Sequence, residues 1–191
     1  MPQQPPNLLF VFTDEQAFDT MSAYGNTTID TPNFNRLAAD SIVFRNAYVT
    51  QPVCTPSRST LMTGLYPHTN GCTRNNIRLP METPCLPELG DFRAYATGYH
   101  GKWHLGDEIY PQHNFHDWIS IDDNYCGHYR DYRSHNDKST YYHWLREQGV
   151  EPNVNSNGWT CYSRDFCARL PEEQSKPAYL AGEASRFIRE N

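Results

Sequence analysis

Long apolar runs are missing from this 191-residue sequence. The longest is Leu8-Leu9-Phe10-Val11-Phe12, far short of the ~20 apolar residues a membrane-spanning helix needs. It is also too short for the core of a secretory signal, and Met1 to Pro6 carries no basic residue. The expectation is a cytoplasmic chain without membrane association, periplasmic if a leader has been trimmed. Positive charge is scarce: 16 Lys and Arg against 22 Asp and Glu leave a net charge of −6. That balance argues against nucleic acid as a partner. It does not exclude an anionic substrate, because a site's local field can oppose the global one. Apolar residues make up only 38%, and the mean hydropathy of −0.77 is polar for a domain. Repeats, low-complexity tracts and an obvious linker are absent. Cys54, Cys72, Cys85, Cys126, Cys161 and Cys167 follow no compact spacing, so the last five read as reduced and structural.

What is present is turn chemistry and aromatic bulk. Fourteen prolines and thirteen tyrosines point to many ordered loops. The length suffices for one domain that buries roughly 70% of its unfolded surface. Residues 7–13 read as a buried strand, apolar on both faces as a central parallel strand requires. Thr31-Pro32-Asn33 starts a helix that runs through Asp40. Residues 41–49 read as a second strand and 93–99 as a third, with 66–87 as loop between them. Residues 106–169 hold most of the tyrosines and little periodicity, and read as a loop-rich excursion on a single domain spanning 1–191. Pro177 to Asn191 closes as an amphipathic helix. About three strands do not complete a doubly wound sheet of five or six. The expected α/β fold is therefore incomplete at its C-terminus.

Three short motifs carry chemistry. Asp14-Glu15 follows the first strand, where α/β sheets gather ligands, and two adjacent carboxylates suit a hard divalent cation. On its own the pair is weak evidence and reads rather as a solvated strand-to-helix turn with a capping Asp. In Cys54-Thr55-Pro56-Ser57-Arg58, Pro56 suits a first helical position and Gly64 a left-handed cap. Cys54 then sits just before a helix N-terminus, whose free N–H groups stabilise an oxyanion or thiolate. Arg58 lies one turn on, with a fixed cation for a tetrahedral anion. In Gly101-Lys102-Trp103-His104-Leu105-Gly106, an extended backbone puts Lys102 and His104 on one face. Together they make a clamp for an anionic ester, and His104 can move a proton. Weaker candidates are His113-x-x-His116-Asp117, better read as loop packing, and His68, read as structural. The Tyr125-to-Trp144 aromatics serve equally well as a pocket lining or a core.

The segment 54–64 resembles the Cys-x-Pro-x-Arg core of the formylglycine-dependent, type I sulfatases. Asp14-Glu15 upstream and Gly101–Gly106 downstream match that family's motifs in order, with Glu15 departing from its commoner Asp-Asp. The resemblance implies an α/β/α sandwich around a mixed, mostly parallel sheet, alkaline-phosphatase-like, of which this chain is the N-terminal portion. It implies hydrolysis of a sulfate monoester, borne by a small molecule or a sugar. A maturation enzyme would convert Cys54 to formylglycine. Asp14, Glu15 and the Cys54-derived oxygen would hold a divalent cation, calcium before magnesium or manganese. Arg58 would stabilise the nucleophile, while Lys102 and His104 would bind sulfate and the leaving side. Further ligands of that family lie beyond position 191, so this chain alone is expected not to turn over normally and to self-associate through open edges. A phosphonate monoester or phosphodiester hydrolase shares the scaffold. A non-catalytic binding module is the reading from another class.

Overall fold

The structure, a computed structural model, describes residues 6–152 and 170–191. Cys161 and Cys167 lie outside them. The chain groups into two compact units, residues 1–49 and 50–191.

The first unit is held mainly by turns. Short 3-10 turns cover Phe18–Thr20 and Ser22–Tyr24, and helix α1 spans Pro32–Ala39. Proline at its first position needs no N–H partner there, as the sequence predicted. The Asn26 side-chain oxygen gathers the N–H groups of Thr28 and Ile29 at 2.8 and 2.7 Å. Residues 7–13 and 41–49, expected as strands, carry no strand ladder among the described residues. Leu8, Phe10 and Val11 stay 72, 58 and 71% exposed. Apolar patterning gives a segment the capacity for a strand, but a ladder requires a neighbouring strand to pair with along its length.

Among the described residues, the second unit is organised by five α-helices and one small sheet. Helix α2 covers Cys54–Thr63, α3 Pro67–Asn70 and α4 Leu86–Leu89. Strand β1, Gly98–His100, pairs in parallel with β2, Asp117–Ile119, in the register Tyr99 to Trp118. The third predicted strand thus forms only at its end. Residues 93–95 turn instead, and β2 was not foreseen in the excursion. Helix α5, Thr140–Glu147, and α6, Lys176–Glu190, complete the order. The Ser139 and Ser175 side chains cap them by accepting N–H bonds from Tyr142 and Ala178. Gly98 lets α6 pack closely on β1, since a Cβ there would stand 3.2 Å from the Phe187 ring and push it by a few tenths of an ångström.

Two apolar cores result. One joins Cys72, Leu79, Cys85, Trp103, Leu105 and Trp118. The other joins Ile119, Tyr141, Leu145 and Tyr179. Trp144 packs on the second core, so the aromatic stretch of the excursion is divided, its C-terminal part serving as core. Asp117 links β1, β2 and α6: it accepts from His100 Nε2 at 2.7 Å and from Arg186 Nη2 at 2.9 Å. No disulfide forms among the four described cysteines, Cys54, Cys72, Cys85 and Cys126. Burial, with Glu88 and Cys72 adding to it, pushes the Cys85 thiol up to about 12.

Candidate active site

Cys54 is itself the first residue of α2 rather than the residue before it. Val53 caps the helix in an extended conformation (φ −136°, ψ 142°), and its carbonyl accepts the first helical bond from Ser57 at 3.0 Å. Pro56 therefore falls third, still among the first four positions whose N–H groups have no partner in the helix. The Thr55 N–H is satisfied from outside, by Asn75 Oδ1 at 2.9 Å. Gly64 ends the helix at φ 71°, as the sequence predicted.

The Gly101–Gly106 segment lies against this helix end. Lys102 Nζ donates to Cys54 Sγ at 3.7 Å. Arg58, 6% exposed, donates from Nη1 to the Lys102 carbonyl at 2.5 Å. Tyr99 OH donates to the same carbonyl at 2.6 Å. Two donors on one carbonyl fix where the Lys102 side chain begins. Thr55 Oγ1 donates to the His104 carbonyl at 2.8 Å, and Asn76 Oδ1 bonds His104 Nε2 at 2.8 Å.

His104 does not continue an extended strand. Its φ is 58°, in the left-handed region, so the simple alternation of faces fails. The cause is Glu108, whose carboxylate accepts the consecutive N–H groups of Trp103 at 2.6 Å and His104 at 2.5 Å. Gathering two adjacent amides on one carboxylate turns the backbone. Trp103 and Leu105 are fully buried and anchor the turn in the core. Gly106 follows at φ 97°, with Arg78 Cγ only 2.9 Å from where a Cβ would stand. Tyr125 faces the segment from the excursion, its ring centroid 4.3 Å from that of His104 and 6.0 Å from Lys102 Nζ. A narrow crevice of about 10 Å³ opens here, lined by Asn76, His104, Glu108, Tyr125 and His128 among others.

Glu108 is the group that sequence reasoning missed. Burial pushes its carboxyl up to about 7, against the pull of the two backbone N–H groups and the Arg58 cation. Asn75 and Asn76 were also missed. They sit in a polar loop whose sequence gives no sign that it turns toward α2.

In the first unit, Asp14 and Glu15 are exposed, with Glu15 at φ 56°. As adjacent hard oxygen donors they fit a calcium-type cation by donor chemistry. The His113, His116 and Asp117 side chains part company. His113 meets Glu88, His116 meets Thr97, and Asp117 meets His100 and Arg186.

The family model described as Sulfatase matches residues 6–180. The chain belongs to the sulfatase family. It is 40% identical over 108 residues to the N-acetylgalactosamine-6-O-sulfatase of Bacteroides thetaiotaomicron, covering 54% of this chain and 21% of that one. It is 33% identical over 142 residues to the human N-acetylgalactosamine-6-sulfatase, covering 66% of this chain and 27% of the relative. The chain thus spans about a quarter or less of the curated relatives it matches. In fold it is similar to the phosphonate monoester hydrolase of Agrobacterium radiobacter. The TM-score is 0.61 at 21% identity, over 91% of this chain and 36% of that one. At that identity the likeness concerns the fold. Among the described residues, this sulfatase-family chain has no helix long and apolar enough to cross a membrane.

Proposed function

We propose that this chain supplies the nucleophile-bearing part of a sulfate monoester hydrolase, with residues 1–191 contributing to one catalytic α/β/α domain. The observation that carries the reading is the Lys102 ammonium donating to Cys54 Sγ at 3.7 Å at the start of α2. A fixed cation beside a helix N-terminus is an environment for an anion. Cys54 is the residue a maturation enzyme would oxidise to formylglycine.

One hydroxyl of the hydrated aldehyde would attack sulfur as the alcohol leaves. The other would then lose its proton, the carbon–oxygen bond to sulfate would break, and the aldehyde would return. Lys102 would hold sulfate oxygens. His104, positioned by Asn76 and Glu108, would serve the leaving oxygen. Arg58 would steady the nucleophile end through the Lys102 carbonyl. Asp14 and Glu15, with the Cys54-derived oxygen, would hold a divalent cation, calcium by preference, which supplies positive charge against the sulfate.

The test is peptide mass mapping after co-expression with a formylglycine-generating enzyme. Cys54 should lose its sulfur. A Cys54 that stays a thiol while a control peptide is converted sinks the reading. Rates of matured protein on matched aryl sulfate and aryl phosphonate then separate sulfatase from phosphonate hydrolase. An unconverted Cys54 together with no calcium uptake would instead favour a binding module.

A further inference from the structure

Away from Cys54, three side chains of different donor type meet at the edge of the first core. Cys85, Glu88 and His113 each offer a ligand atom, and all three atoms lie within 4.8 Å of one another. They come from the N-cap of α4, its third residue, and a loop 25 residues further on. Glu88 reaches back to accept the Cys85 N–H at 2.8 Å, closing a capping box. The same Oε2 pairs with His113 Nδ1 at 2.8 Å.

A capping box with a supporting histidine accounts for part of this. It does not account for the choice of residues. Cysteine is not among the preferred N-cap residues, which are Ser, Thr, Asp and Asn. His113 is buried in the left-handed region at φ 53°. Its side chain is 1% exposed and turned with Nδ1 toward Glu88, so the ring is committed to this cluster rather than to solvent.

We propose that Cys85, Glu88 and His113 form a metal site for zinc or a similar borderline divalent cation, independent of the Cys54 site. The set is one sulfur, one imidazole nitrogen and one carboxylate, which suits zinc rather than calcium. Zinc with bonds of about 2.0–2.3 Å spaces tetrahedral ligands roughly 3.3–3.8 Å apart. The cluster therefore needs a contraction of at most about 1.5 Å at its widest pair. The incoming cation replaces the His113–Glu88 hydrogen bond with two metal bonds: the bridging proton is displaced, His113 binds through Nδ1 as the neutral Nε2–H tautomer, and the Cys85 thiol gives its proton to solvent as the sulfur–metal bond forms. The Glu88 side chain keeps 27% of its surface in solvent, which provides the entry path and room for a water as fourth ligand.

Three substitutions remove ligands while sparing the fold. Cys85→Ser keeps an N-cap, Glu88→Gln keeps the capping box, and His113→Asn tolerates a positive φ. The background is Cys54→Ser, which takes the proposed nucleophile out of the measurement. Cobalt(II) and zinc titrations of the background protein should give one bound equivalent, with thiolate-to-cobalt absorption in the near ultraviolet. Cys85→Ser should abolish the absorption, and Glu88→Gln or His113→Asn should weaken uptake. Zinc should raise the Tm of the background protein and not that of Cys85→Ser. No stoichiometric uptake by the background protein overturns the proposal. So does absorption that persists in Cys85→Ser.

Discussion

Glu108 is the residue whose removal should be most informative. Its carboxyl titrates near 7 in the folded protein, against an ordinary 4.5. Between those values the unfolded chain gives up the proton and the folded one retains it. The unfolded state thus binds fewer protons, and stability falls as pH rises. At about 1.36 kcal/mol per unit, the 2.5-unit gap amounts to about 3 kcal/mol lost by pH 8. Glu108→Gln removes the titration. It keeps one acceptor oxygen for the Trp103 or His104 N–H but sets an amide NH₂ against the other, leaving a buried donor unmet at a cost of about 1–3 kcal/mol. The variant should therefore be less stable than the parent at pH 5 and close to it at pH 8. Urea unfolding at pH 5, 6, 7 and 8 reads both curves. Parallel pH profiles for the two proteins would mean that Glu108 does not titrate differently on folding, and the reasoning would fail.

Other outcomes follow from the same geometry. Gly106→Ala forces a Cβ to within 2.9 Å of Arg78 at φ 97°, and should cost about 1–3 kcal/mol in urea unfolding. Partial burial pulls the Asp117 carboxyl up, but hydrogen bonds from Arg186 and His100 outweigh it and hold it below the usual carboxylate range. Its contribution is present above the unfolded carboxylate range, about 3.9, and is lost as pH falls through the lower folded value. Asp117→Asn should accordingly flatten the acid limb of a circular-dichroism pH titration. Asp14→Asn should weaken calcium binding by calorimetry, and an unchanged affinity would remove Asp14 from the proposed cation site.

Sequence alone determined what depends on neighbours along the chain. Pro32 opens α1, Gly64 closes α2 and Ser175 caps α6 because caps and breakers act within a few residues. The motifs at 14–15, 54–58 and 101–106 declared the family because their spacing is written directly in the chain. Tertiary structure decided what depends on partners far away in sequence. Residues 7–13 have the composition of a strand but no ladder, because pairing requires another strand alongside. His104 leaves the extended conformation because Glu108, an unremarked acidic residue four positions on, is buried where its carboxylate meets two backbone N–H groups. His113 was paired in sequence with His116 and Asp117, yet folding turns it toward Cys85 and Glu88. Spacing records which residues are close along the chain, whereas hydrogen bonds and burial form across loops whose paths the local sequence does not encode.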